Sequence, residues 1–184
     1  MGNAQIILFF PFLRSSLIPV SINIVLVLLF LYFIIIPVHK GDNNPYFLKG
    51  DFTMNEVLEY LKSCGTFYLA TEEDGQPHVR PFGAVCAHDD KLYFVTNNQK
   101  RVYHQMIKNG KVEICGMSQG TWIRVEGEVK EDLRREARVS MMNANESSLK
   151  SMYSVDDNLM TVFYFKHGTA TIYSFTAEPK VIKF

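Results

Sequence analysis

The sequence predicts a mainly β (α+β) fold, an antiparallel β-barrel with a few short helices, occupying residues 54–184. Two observations carry this. From Thr66 onward, short runs rich in aromatic and β-branched residues recur between Gly-, Asn- and Asp-containing turns, the pattern of a small all-antiparallel barrel. Helical periodicity, by contrast, is confined to three short stretches. A third observation sets the boundary: residues 1–38 are almost free of charge, whereas the segment from Met54 onward has an ordinary globular composition.

Asn55 is placed to cap a helix over Glu56–Lys62, with Val57, Leu58 and Leu61 on one apolar stripe and Cys64-Gly65 as its end. Thr66–Thr71 reads as a strand, and Glu73-Asp74-Gly75 supplies the turn. The next strand is expected over His78–Ala87, returning through Asp89-Asp90 as Leu92–Thr96. Lys100–Lys108 reads as a helix with Val102, Met106 and Ile107 apolar, stopped by Asn109-Gly110. Val112–Met117 and Trp122–Val129 follow as strands joined at Ser118-Gln119-Gly120, then a polar amphipathic helix over Leu133–Asn145. Met160–Phe165 and Thr169–Phe175 are expected to pair as a hairpin around Lys166-His167-Gly168.

The leader admits two readings. Residues 17–38 are long and apolar enough to serve as a membrane anchor. Alternatively, Lys49-Gly50-Asp51 can be encoded AAA-GGA-GAT, a bacterial ribosome-binding sequence suitably spaced from an ATG at Met54. On that preferred reading Met54 is the true start, residues 1–53 correspond to non-coding DNA upstream of it, and the domain is cytoplasmic.

Composition excludes several classes of function. The 19 basic and 19 acidic residues cancel, so no global field favours nucleic acid or an anionic membrane, and any anion must be held locally. Cys64, Cys86 and Cys115 form neither a CxxC pair nor a metal-ligand spacing, and read as free thiols. The histidines show no metal-ligand spacing, so no metal site is expected; GxGxxG and GxxxxGK[ST] are both missing.

Three clusters remain. In His78-Val79-Arg80-Pro81-Phe82-Gly83, strand alternation puts His78, Arg80 and Phe82 on one face, where an arginine is costly without an anion. Pro81 there marks a sheet edge or bulge. Val95-Thr96-Asn97-Asn98-Gln99-Lys100-Arg101 runs from a strand end into a helix N-terminus, where free N–H groups and the helix dipole favour an anion. Trp122, the only tryptophan, follows a turn and is suited either to stacking on a ring or a partner subunit or to the core.

In order and spacing, FYLATEEDGQPHVRPFG, LYFVTNNQKRVYHQM and WIRVEGEV resemble the pyridoxamine 5′-phosphate oxidase-like family of FMN-binding split barrels. The resemblance implies a homodimer with FMN at its interface. Arg80 and Lys100 would hold the phosphate with help from Arg101, and Thr96 and Asn97 would add hydrogen bonds. Pro81, Phe82, Gly83 and Val95 would lie along the ring, and Trp122 would reach it from the second subunit. It further implies electron transfer from a nicotinamide donor to a small acceptor, the chemistry being the flavin's own, with no catalytic side chain. Deazaflavin or haem are the alternative cofactors, and a non-catalytic storage or sensing module is the alternative function. The C-terminal segment Ala177–Phe184 lacks the arginine–histidine pair of true pyridoxamine-phosphate oxidases, so the resemblance is closer to small flavin reductases and nitroimidazole-resistance proteins. Mass spectrometry of the native protein tests the start site: peptides beginning at Met54 are expected, and any peptide from within residues 2–49 contradicts an untranslated leader.

Overall fold

A computed structural model describes residues 51–184; the leader, whether upstream sequence or membrane anchor, lies outside the described residues. Helix α1 (Asp51–Cys64) leads into β1 (Phe67–Glu73), β2 (Gln76–Phe82), β3 (Val85–His88) and β4 (Lys91–Asn97). Helix α2 (Arg101–Lys108), β5 (Lys111–Ser118) and β6 (Thr121–Asp132) follow. Helices α3 (Arg135–Ala144) and α4 (Glu146–Leu149) precede the long β7 (Met160–Tyr173) and the short β8 (Lys180–Lys183).

All pairings are antiparallel, in the order β2-β1-β5-β6-β7-β4-β3, with β8 also on β7. Strands β2 and β3 are consecutive in the chain yet occupy opposite edges of the sheet. The single strand expected over His78–Ala87 is therefore two, separated at Gly83-Ala84. A side chain at Gly83 would sit 3.1 Å from the Gly65 carbonyl oxygen, so the crossing passes tightly over the end of α1. Edge placement of Pro81 is as expected, since its missing N–H costs no ladder bond there.

The hairpin expected around Lys166-His167-Gly168 does not form; β7 runs straight through these residues along β6. A two-residue hairpin turn needs positive φ, as at Asp89-Asp90 and Gln119-Gly120, and none of the three residues adopts it. Gly168 instead serves close packing: a Cβ there would lie 2.6 Å from the Phe184 ring, and its backbone exchanges two hydrogen bonds with Phe184. The register shift between Glu128 and Val129 leaves Lys166 without a partner, a β-bulge that bends the strand pair. β8 is a further strand that the sequence pattern does not announce, being only four residues long after Pro179.

The barrel interior is filled by Phe67, Leu69, Phe94, Ile114, Ile123, Val125 and Phe163, and α1 closes it with Val57, Leu58 and Leu61. Outside the barrel, α3 and α4 bury Ala137, Met141 and Leu149 against Tyr93, Val95 and Val162. Strand β4 is thus buried on both faces from Leu92 to Thr96. A polar strut crosses this second layer: Tyr93 donates to Asp132 at 2.9 Å, and Arg134 joins Asp132 to Asp89 at 2.7 Å each. The Arg134 hydrogen bonds hold the Asp132 carboxyl at about 2, against an ordinary 3.8. A depressed carboxylate contributes stability above its unfolded pKa and loses it as pH falls through the folded one. Asp132→Asn should therefore destabilise the domain by about 2 kcal/mol at neutral pH. The difference from wild type, read by urea denaturation, should shrink between about pH 4 and pH 2.

Candidate functional site: a cationic cleft at the barrel seam

The chain's crossing between sheet edges leaves a cleft of about 330 Å³. Arg80, Pro81, Phe82 and Gly83 form one side, Val95 the floor, and Lys100 and Val102 the start of α2. Ser148, Leu149, Met152 and Tyr153, from α4 and the turn after it, form the opposite wall. Phe82 is fixed by stacking on Phe67 and by an edge contact with Phe94, at centroid distances of 6.3 and 5.8 Å. Six of the ten residues expected from the sequence meet here: Arg80, Pro81, Phe82, Gly83, Val95 and Lys100.

The other four lie elsewhere. Arg101 is held 2.5 Å from Glu73 in an ion pair. Thr96 is buried on the barrel-interior face beside Phe94, its hydroxyl, like that of Thr161 opposite, without a hydrogen-bond partner among the described residues. Asn97 accepts from the Gln99 N–H at 2.7 Å and so orders the turn into α2. Trp122 lies on the outer face of the sheet, half-buried, stacked on Tyr173 at 5.3 Å and touched by Phe175 at 5.1 Å.

Electrostatics single out the cleft. Arg101, Arg124, Arg134 and Arg135 each hold a carboxylate. Among the described residues Arg138 donates to the Val155 and Leu133 carbonyls, away from the cleft. Arg80, within it, donates only to neutral acceptors: Thr71 Oγ1 and Gln105 Oε1 at 2.7 Å, the His78 carbonyl at 3.0 Å and the Leu69 carbonyl at 3.4 Å. Burial, and next the Arg101 charge, push its guanidinium below the ordinary value. Lys100, at the N-cap of α2, offers no side-chain cap, and no acidic residue occupies the first turn. Two cations without counter-ions among the described residues, beside an uncapped helix start, can take up an anion.

Three features escape the sequence pattern. Gln105 is buried on the inner face of α2 with Val102 and Met106, while Ile107, expected on that stripe, is 54% exposed. A glutamine on an apolar helix face is the available signal. Thr71, on β1, shows nothing beyond the pattern of a strand, and the 148–153 wall carries no motif. A larger concavity, about 840 Å³, lies over β1, β5, β6, β7 and β8 and contains none of the expected residues. Glu72, Glu113, Glu126 and Glu128 line it, which disfavours an anion despite Lys111 and Lys183. Among the described residues no group of three or more His, Cys, Asp or Glu side chains is placed to hold a metal, and no helix is long and apolar enough to cross a membrane.

A barrel split along this seam, with an arginine and a proline on its edge strand and a lysine at the next helix start, defines the class of pyridoxamine 5′-phosphate oxidase-like split barrels. The profile of the pyridoxamine 5′-phosphate oxidase family matches residues 53–173, and the chain belongs to that family. Among solved structures it is similar to a NimC/NimA family protein from Clostridium acetobutylicum, 50% identical, covering 73% of this chain and 94% of that one, with a TM-score of 0.70. General Stress Protein 26 from Bacillus anthracis shares the fold at 17% identity, with 73% and 98% coverage and a TM-score of 0.57. A haem-binding protein from Mycobacterium smegmatis shares it at 11% identity, with 72% and 55% coverage and a TM-score of 0.54. No curated protein matches the chain.

If the cleft is an anion site, millimolar inorganic phosphate should raise the thermal unfolding midpoint of the ligand-free protein. The Arg80→Ala, Lys100→Ala variant should show no such rise.

Proposed function

We propose that this protein is an FMN-dependent oxidoreductase that passes electrons from a nicotinamide donor to a small acceptor. The observation that carries the reading is the pair of cations, Arg80 and Lys100, left without carboxylates on an otherwise largely apolar cleft. A phosphate answers the two charges, and a flat heterocycle answers Phe82, Val95 and Leu149. Bound FMN would supply the redox chemistry, accepting a hydride and releasing electrons. The chain's own residues bind and orient: Arg80 and Lys100 hold the phosphate, the Pro81–Gly83 backbone borders the ring, and the 148–153 wall excludes water.

A homodimer completes this reading. The outer face of the sheet presents Tyr68, Met117, Phe175 and Val181, each more than half exposed, around the Trp122–Tyr173 stack. A patch of this kind is suited to a second subunit, whose Trp122 would then approach the first subunit's cleft. A cleft of about 330 Å³ is at the small end for a ligand of FMN's size, which also favours closure by a partner. The similarity to a NimC/NimA family protein directs the choice of acceptors toward nitro compounds as well as quinones.

The second reading is a module that stores or senses a flavin or haem without turnover. Met152 and Tyr153 are the cleft side chains of a kind that ligates haem iron. The test is the visible spectrum of the purified protein with FMN or haem, followed by NADH and NADPH oxidation with nitro compounds and quinones as acceptors. Two flavin bands, lost in the Arg80→Ala, Lys100→Ala variant, with steady donor oxidation are expected. A bound flavin without turnover on any donor supports the storage module, and a protein that ignores FMN removes the flavin reading.

A further inference from the structure

The guanidinium of Arg80 is held by a chain of neutral groups that ends on an ion pair. Gln105 Oε1 accepts from Arg80 Nη2 at 2.7 Å and from the Thr71 hydroxyl at 2.6 Å. The Thr71 oxygen in turn accepts from Arg80 Nη1 at 2.7 Å. Gln105 Nε2 donates to Glu73 Oε2 at 2.9 Å, and the same carboxylate oxygen is 2.5 Å from Arg101 Nε. Gln105 is 1% exposed and Thr71 5%, so neither group can be satisfied by bulk water.

The direction of the network follows from its far end. Glu73 can only accept, so the Gln105 amide must turn its NH2 toward Glu73 and its oxygen toward Arg80. Arg101 pairs with Glu73, so the carboxylate at the far end of the network has a cation of its own and meets Arg80 only through Gln105. Arg80 is thereby fixed in orientation by acceptors that carry no charge, leaving its Nε–H and one Nη2–H without protein partners among the described residues. An anion-binding arginine needs both properties, a set geometry and an unspent positive charge.

We infer that Gln105, with Thr71 as its second support, is a positioning residue that presets Arg80 for the phosphate of the bound cofactor. This rests on the reading of the cleft as an FMN site. The residue acts through Arg80 and touches no ligand: neither Gln105 nor Thr71 lines the cleft. Its removal should then weaken only that part of cofactor affinity that comes from the phosphate.

Riboflavin, which has the same ring and lacks the phosphate, isolates that part. Fluorescence-quenching titrations of the full chain with FMN and with riboflavin give the ratio of their affinities. Wild type should prefer FMN, and Arg80→Ala should lose the preference. Gln105→Leu should reduce the FMN-to-riboflavin ratio about tenfold or more, through FMN, with riboflavin affinity little changed, the scale expected for lost hydrogen bonds to a charged group. Thr71→Val, a milder change, should move the ratio the same way, and Thr71→Ser should restore it. If Gln105→Leu does not fold, the Thr71 pair decides. Variants that weaken both ligands equally, or keep the wild-type ratio, overturn the positioning role while leaving the phosphate site standing. A wild type that binds both ligands equally overturns the phosphate reading first, and the inference with it.

Discussion

Between Phe82 and Val85 the chain leaves one edge of the sheet and joins the other, and no ladder closes the barrel across that gap. This single constraint arranges much of what lies around it. The crossing is narrow enough to favour glycine at 83, where a Cβ would sit 3.1 Å from the Gly65 carbonyl oxygen at the end of α1. It puts Pro81 on an edge, where its missing donor is harmless, and leaves Arg80 and Phe82 directed toward a seam. The floor is then supplied by Val95 on β4 and the rim by the first residues of α2, because β4 pairs with β3 on the far side of the gap. The cleft is a product of the topology.

Charge is distributed to match. The protein has no net charge, and Arg101, Arg124 and Arg135 on α2, β6 and α3 are spent on carboxylates of neighbouring strands and loops. Such exposed pairs contribute little to stability individually. At the cleft, Glu73 is held by Arg101 and by the Gln105 amide, and Arg80 bonds to neutral groups. A half-buried cation on neutral acceptors costs stability until an anion arrives, a cost offset here by the apolar interior that α1 closes.

Much of this is legible in the sequence because strand alternation and proline chemistry are local. His78-Val79-Arg80-Pro81-Phe82 can be read as an edge strand with arginine and phenylalanine on one face without knowing its neighbours. Lys100 can be placed at a helix start in the same way. The failures are all tertiary. Gly168 looks like a turn residue, yet it is small because Phe184 returns against it, sixteen positions later in the chain. The break at Gly83-Ala84 is invisible in a strand-like run because it is imposed by the far edge of the sheet. Val95 and Thr96 are both expected at the cofactor, but strand alternation separates them: with α3 and α4 packed outside the barrel, Val95 faces the cleft and Thr96 the interior. Gln105 is readable only as an anomaly on an apolar stripe, and its partners on β1 and β2 are supplied by the fold.

The central claim is that the seam, with two cations that hold no carboxylate among the described residues, is where the cofactor phosphate sits. A crystal structure of the protein grown with FMN tests it most directly. The account predicts phosphate oxygens within hydrogen-bond distance of Arg80 and Lys100, with the ring against Phe82 and Val95. Phosphate density in the acidic concavity over β5 and β6, or at the outer face beside Trp122 and away from Arg80, would contradict it.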